Sequence, residues 1–160
     1  MVKFSMDAEK LYKNLQRSIT LSKDARPLLM LIRGKFGDQN PLTLIGGIQT
    51  NFIKQGTDLY RWPDLSEKYA KRKAKKYPGK SMLIASGDMF DSLVNGKDGA
   101  VNILTKLRLE YGSTLPTVYW HMKGTPKMPK RPPMAVTRKQ VTTWKTMIRD
   151  YFKETMEGAR

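Results

Sequence analysis

The sequence predicts a small α+β domain, in which a central antiparallel β-sheet is braced by a long helix before it and a C-terminal helix after it. Apolar and polar residues alternate over residues 101–111, as they do in a half-buried hairpin. Apolar residues at helical spacing precede this stretch over residues 40–55 and follow it over residues 137–157. Helices and strands segregated along the chain in this way favour an α+β fold over an α/β fold.

The first 38 residues are predicted to form an N-terminal helical arm, and residues 39–160 a single α+β domain. Asp7 is a candidate N-cap for a helix over residues 8–20. Its apolar residues recur every four positions, at Leu11, Leu15 and Ile19. Asp24 and Pro27 form a second helix-start signal, and that helix is predicted to end at Gly34.

The helix before the sheet is predicted to begin at Asn40 and Pro41 and to end before Gly56. Three apolar residues share one of its faces: Ile45, Ile48 and Phe52. The Gly46-Gly47 pair weakens this prediction, because each interior glycine costs about 1 kcal/mol relative to alanine.

Two short helices are predicted between this helix and the sheet. Asp64 or Ser66 caps the first, which carries Tyr69 into a basic run and ends in a loop over residues 77–80. Ser86 is the predicted N-cap of the second, and the carboxylates of Asp88 and Asp91 suit its positive end.

The hairpin is predicted to turn near Thr105 and Lys106. Thr137 is the predicted cap of the last helix, which ends at Gly158. Its apolar stripe is predicted to contain Val141, Trp144, Ile148, Tyr151 and Thr155.

The composition narrows the classes of site that this chain can hold. It has no cysteine and a single histidine, His121, which excludes disulfides, thiolate sites and the common zinc patterns. The longest apolar stretch, residues 27–32, is far shorter than a membrane span, so we expect a soluble protein made in a cytoplasm. We predict no catalytic residue, no cofactor and no metal, and therefore no enzyme. The Asp88 and Asp91 pair is explained by the helix dipole.

The chain carries 30 Lys and Arg against 14 Asp and Glu, a net charge of +16, which favours polyanionic or acidic partners. One basic cluster lies in residues 68–80 and a second, proline-stiffened one in residues 123–139. Each is either a contact surface or a solvated stretch of chain. The residues predicted to form subunit or partner interfaces are Trp62, Lys71, Arg72, Lys75, Lys76, Lys127, Pro129, Lys130, Arg131 and Pro132.

A colinear series of landmarks extends from Phe52 to Met134. They are Phe52, Gly56, WPDLS at 62–66, YA at 69–70, LIASGDM at 83–89, SL at 92–93, YGS at 111–113, YWH at 119–121, Gly124 and MPKRPPM at 128–134. In order and spacing this series resembles the bacteriophage virion-morphogenesis family, the Mu-type tail-completion proteins. Ser86 stands where that family has threonine. Trp120 and Met122 depart from its usual alanine and glutamine.

The resemblance implies a non-enzymatic virion protein that completes the tail or joins it to the head at the neck. It also implies a homo-oligomeric ring in contact with adjacent neck and tail proteins: a connector, a tail terminator or a tube. We expect the basic clusters to face acidic surfaces of those neighbours, and contact with DNA in the channel stays open. The expected location is the virion, assembled in the host cytoplasm, with no membrane partner.

Two other classes remain alternatives. One is a basic nucleic-acid-binding protein that contacts DNA phosphates through residues 71–76 and 127–131. The other is a hydrolase or nuclease that uses Asp88, Asp91 and His121.

Overall fold

The computed structural model describes residues 24–157, with side chains up to residue 154. Within this range the chain forms six helices and two antiparallel sheets of two strands each. The helices are α1 (Arg26–Arg33), α2 (Leu44–Lys54), α3 (Glu67–Lys76), α4 (Asp88–Phe90), α5 (Pro116–Lys123) and α6 (Arg138–Glu157). A π-helical turn, Asp91–Asn95, continues α4. The strands are β1 (Gly56–Thr57), β2 (Tyr60–Arg61), β3 (Ala100–Leu104) and β4 (Leu109–Ser113). The α+β class is confirmed.

The core forms around α2. Its predicted apolar face, Ile45, Ile48 and Phe52, is buried. The Phe52 ring meets the rings of Trp62 and Phe90 edge to face, at centroid distances of 5.8 and 5.2 Å. Burying each of these large apolar side chains contributes about 1.5–3 kcal/mol, so α2 is the element on which the rest of the chain packs.

The glycine pair in α2 has a packing role. A Cβ on Gly46 would lie 2.0 Å from the carbonyl oxygen of Asn40, and a Cβ on Gly47 would lie 2.0 Å from Nε2 of Gln140. The two glycines therefore let the preceding loop and α6 approach the helix backbone closely. This gain in packing offsets their low helix propensity.

α6 is held at the start of α2 by side-chain hydrogen bonds. Gln140 Oε1 accepts from the Thr137 amide at 2.8 Å while Thr137 Oγ1 accepts from the Gln140 amide at 3.2 Å, a capping box that confirms the predicted cap. Gln140 Nε2 donates to the Thr43 carbonyl and Trp144 Nε1 donates to the Leu42 carbonyl. Two members of the predicted apolar stripe, Val141 and Ile148, are instead exposed, because the polar Gln140 takes the inward position.

The predicted hairpin is formed by β3 and β4, which pair from Ala100 with Ser113 to Leu104 with Leu109. Its turn is closed by the Thr105 amide donating to the Arg108 carbonyl, where the sequence predicted it. The hairpin contacts the π-helical turn, which in turn packs on α2, so α2 braces the sheet indirectly. The small β1 and β2 sheet was not predicted.

Two helix starts differ from the predictions. Thr43 rather than Asn40 caps α2, its hydroxyl accepting from the Gly46 amide at 3.1 Å, because Asn40 is used in a turn with Leu42. Gly87 rather than Ser86 precedes α4, with a φ of 105° that suits glycine. The Ser86 hydroxyl donates to Asp88 instead.

α1 packs against α2 and α6, with Leu28 and Ile32 buried. Part of the predicted arm over residues 1–38 thus lies against the folded body. The predicted helix over residues 8–20 lies outside the described residues.

Candidate functional site

Three segments that are distant in sequence meet at one cleft. They are residues 64–66, residues 83–89 and residues 121–131, and α3 completes the wall. The cleft has a volume of about 740 Å³. Its lining contains charged, polar and apolar residues: Asp64, Leu65, Ser66, Tyr69, Lys73, Leu83, Ala85, Ser86, Gly87, Asp88, Met89, Thr117, His121, Lys127, Met128, Pro129 and Arg131. Mixed lining of this kind suits contact with a protein segment or an organic group better than with an isolated ion.

Arg131 holds two of these segments together. Its side chain is 4% exposed, with Nε donating to the Pro63 carbonyl at 2.7 Å and Nη2 donating to the Asp64 carbonyl at 2.9 Å. Its own amide donates to the His121 carbonyl at 2.9 Å. Burial lowers the pKa of Arg131 from its ordinary value, but a guanidinium keeps its charge in proteins. Arg131 is therefore a cationic link between the cleft walls.

Lys73 has a similar role on α3. Its Nζ donates to the carbonyls of Lys80, Ser81 and Ile84, at 2.6, 2.7 and 3.1 Å. The residue is 8% exposed, and burial lowers the pKa of its ammonium group. Lys73 thus fixes the loop after α3, and it is the member of the first basic cluster that points inward.

The rest of α3 carries an exposed basic surface. It consists of Lys68, Lys71, Arg72, Lys75 and Lys76, with Glu67 at the start of the helix. The Arg72 guanidinium lies 5.1 Å from the Tyr69 ring centroid and the Lys76 ammonium 5.2 Å from that of Tyr77. These contacts orient two cations along the protein surface without neutralising them.

The second basic cluster divides in the same way. Lys127, Pro129 and Lys130 are exposed, whereas Arg131 and Pro132 are buried. Trp62 is 2% exposed and packs on Phe52. Of the ten predicted interface residues, Trp62, Arg131 and Pro132 therefore lie in the interior, and their side chains support the surface from below. The other seven are exposed: Lys71, Arg72, Lys75, Lys76, Lys127, Pro129 and Lys130.

The His121 side chain lines the cleft, and one of its ring nitrogens is left without a hydrogen bond. Its Nδ1 is buried and has no hydrogen-bond partner. Burial, and then the charge of Arg131, lower the pKa of the imidazole from its ordinary value. The side chain is consequently neutral at physiological pH and presents a polar atom that a bound group could satisfy.

The two aspartates of the hydrolase alternative have separate surroundings. Asp88 lines the cleft with His121, and it accepts from the Ser86 hydroxyl at 2.7 Å. Asp91 instead accepts from Lys97 at 2.9 Å and from Asn95 at 2.6 Å, and these hydrogen bonds, that from Lys97 first, lower the pKa of its carboxyl group. Within residues 24–157 no group of three His, Cys, Asp or Glu side chains is placed to hold a metal ion.

Exposed aromatic residues on α5 were not predicted as a surface. Tyr119 and Trp120 are 53% and 47% exposed, and their rings meet edge to face at 5.1 Å. The Lys123 Nζ donates to the Tyr119 hydroxyl at 3.2 Å. The only sequence signal was the adjacency of two aromatic residues in a short helix.

No helix in residues 24–157 combines the length and the apolarity needed to cross a lipid bilayer. Comparison of the chain with protein-family models, with curated proteins and with solved structures found no match.

Proposed function

We propose that this protein is a structural virion component of a tailed bacteriophage that completes the tail or joins it to the head at the neck. The observation that supports the proposal best is the convergence of the resemblance segments. Four of the resemblance segments, which are linked in the sequence only by their colinear order, contribute to the lining of the cleft: WPDLS at 62–66, LIASGDM at 83–89, YWH at 119–121 and MPKRPPM at 128–134.

Under this proposal the protein works by binding its neighbours in a ring at the neck. The exposed cations of α3 and of residues 127–130 lie on surfaces next to the cleft. A strongly basic channel lining would hold DNA by counterion release and would oppose its ejection. We therefore assign these surfaces to acidic faces of adjacent neck and tail proteins. The Arg131 guanidinium donates to two carbonyls of its own chain, so it is available neither to an adjacent virion protein nor to DNA.

Inactivation of the gene, followed by electron microscopy of the lysate, tests the proposal. Filled heads beside unattached tails are the expected result, since every other virion part would still be made. A plasmid copy of the gene should restore joined particles. Joined, infectious particles in the lysate of the inactivated phage would refute the proposal.

The exposed basic surface of α3 favours a second candidate, a nucleic-acid-binding protein. Five cations of this helix are exposed and none of them forms an ion pair within residues 24–154. If about five of them contact phosphates, the logarithm of the DNA affinity should fall with the logarithm of salt concentration at a slope of about −4.5. Fluorescence anisotropy with a short duplex would measure that slope. Weak binding without this salt dependence would dismiss the second candidate.

A further inference from the structure

We propose that the cleft is a docking site for a peptide segment of a partner protein, in which an apolar side chain is flanked by Asp or Glu residues. The inference rests on the proposed function and deepens it, since it states the chemistry by which a neighbouring protein is recognised. An apolar lining, a strained leucine and an excess of positive charge together point to this ligand.

The apolar part of the lining can accept a side chain of the partner. Leu65, Leu83 and Met89 line the cleft and also pack in the hydrophobic core. Met128 adds a second flexible thioether side chain from the proline-rich segment. Methionine adapts its shape to different apolar groups and is common on surfaces that bind peptides. The volume of about 740 Å³ lies within the range of roughly 300–1,000 Å³ that is usual for pockets that bury an organic group.

Leu83 has a strained backbone in the wall of the cleft. It is the third residue of a turn in which the Ile84 amide donates to the Ser81 carbonyl at 3.0 Å. Its φ is 62°, in the left-handed region that glycine adopts freely and leucine avoids. The Lys73 ammonium holds this turn, since it donates to the carbonyls of Ser81 and Ile84 on either side of Leu83. Strained residues that are held in this way concentrate at binding sites, so the leucine side chain is a candidate contact for the ligand.

Two exposed cations lie at the cleft. Lys127 belongs to the lining. Arg72 lies at the edge, because its guanidinium is 5.1 Å from the ring centroid of Tyr69, which also lines the cleft. Neither cation forms an ion pair within residues 24–154. Both are therefore available to carboxylates of a bound segment.

The carboxylates of the lining do not cancel the positive charge. The lining contains two carboxylates and three cations, which are Asp64, Asp88, Lys73, Lys127 and Arg131. The two buried cations are hydrogen-bonded to uncharged carbonyl groups, which do not neutralise them. Arg72 at the edge raises the excess from one positive charge to two. An excess of this sign attracts acidic segments and repels basic ones.

His121 and the neighbouring part of α5 favour a protein segment over a small organic anion. Within the described part of the chain, Nδ1 of His121 is buried and has no hydrogen-bond partner. A peptide main chain offers both donors and acceptors, so it can satisfy this nitrogen without adding a charge. Trp120 is 47% exposed and follows Thr117 of the lining by three residues on α5, so it borders the cleft. Tyrosine, tryptophan and methionine side chains are enriched at protein interfaces.

Selection of peptides from a displayed random library on the purified full chain tests the inference. We expect the enriched peptides to share one Leu, Met, Phe or Trp with Asp or Glu on both sides. Absence of enrichment, or enrichment of peptides without acidic residues, would overturn the inference. The selection uses the purified chain alone, so its failure would leave the result of gene inactivation unaffected. A chain that selects acidic peptides can equally be dispensable for joining heads to tails.

Three variants separate docking in the cleft from general attraction to a basic chain, with fluorescence anisotropy of a labelled enriched peptide as the measurement. Leu83→Gly removes the side chain and relieves the strained φ, so the chain should stay folded while its affinity for the peptide falls at least about tenfold. Lys127→Glu should lower the affinity by about threefold to tenfold. Lys145→Glu makes the same change of charge at an exposed position of α6 outside the cleft, and it should leave the affinity unchanged. Full affinity in a folded Leu83→Gly variant, or equal losses in the two lysine variants, would contradict docking in the cleft.

Discussion

Removal of the Arg131 guanidinium should destabilise the protein by about 2–3 kcal/mol. Arg131→Met keeps an unbranched apolar stem but removes both donors to the Pro63 and Asp64 carbonyls, at 2.7 and 2.9 Å. An unsatisfied buried acceptor costs about 1–3 kcal/mol. Two such acceptors would cost about 2–6 kcal/mol together. Both belong to exposed residues and can recover some hydration by a local shift, so we expect a loss of stability near the lower end of that range.

Chemical unfolding measured by tryptophan fluorescence is the assay, since Trp62 lies in the core next to the affected segment. In thermal unfolding followed by the same fluorescence, the melting temperature should fall by roughly 4–12 °C, given about 2–4 °C per kcal/mol for a chain of this size. Lys130→Met is the matched control, because it removes an exposed cation from the neighbouring position, and it should change the free energy of unfolding by less than about 0.5 kcal/mol. Equal stability of the Arg131→Met and Lys130→Met variants would refute the assigned role of Arg131.

Three further predictions concern single side chains. Lys73→Met should destabilise the chain by about 2 kcal/mol because three carbonyls lose a charged donor, while Lys75→Met on the exposed surface should have little effect in the same unfolding assay. Gly47→Ala should destabilise by about 1–3 kcal/mol despite the better helix propensity of alanine, because the new Cβ would collide with Gln140; a neutral or stabilising result in calorimetry would contradict this packing. The lowered pKa of His121 means that the unfolded chain binds a proton more readily than the folded chain, so stability should fall as the pH drops through about 6.5. His121→Gln should reduce that fall in urea titrations at pH 7 and pH 5, and an identical pH dependence would exclude His121 as its source.

Local sequence patterns predicted the elements whose structure depends on neighbours in the chain. The Thr137 cap, the apolar face of α2 and the hairpin turn near Thr105 follow from residue spacing and turn chemistry, and each was found. The start of α2 was placed three residues early because Asn40 and Thr43 are both good caps. Tertiary context, in which Asn40 closes a turn with Leu42, decides between them.

The direction of individual basic side chains could not be predicted in the same way. Lys73 lies in a run of cations that look equivalent in sequence, yet only Lys73 of that run is buried. Arg131 likewise carries the same charge as its neighbour Lys130, but the proline-rich segment packs on residues 63–64, and the Arg131 side chain is buried there. Both outcomes depend on carbonyl groups that become neighbours only after folding, so the sequence pattern contains no signal for them.

The most direct test of the proposed neck function is reconstitution with purified protein. A lysate of the phage with this gene inactivated should contain filled heads and unattached tails, and adding the purified wild-type chain should restore joined particles and plaque formation. Recovery of joined particles should increase with the amount of protein added. Heads and tails that stay separate after addition of the folded wild-type chain, or that join equally well without it, would contradict the account.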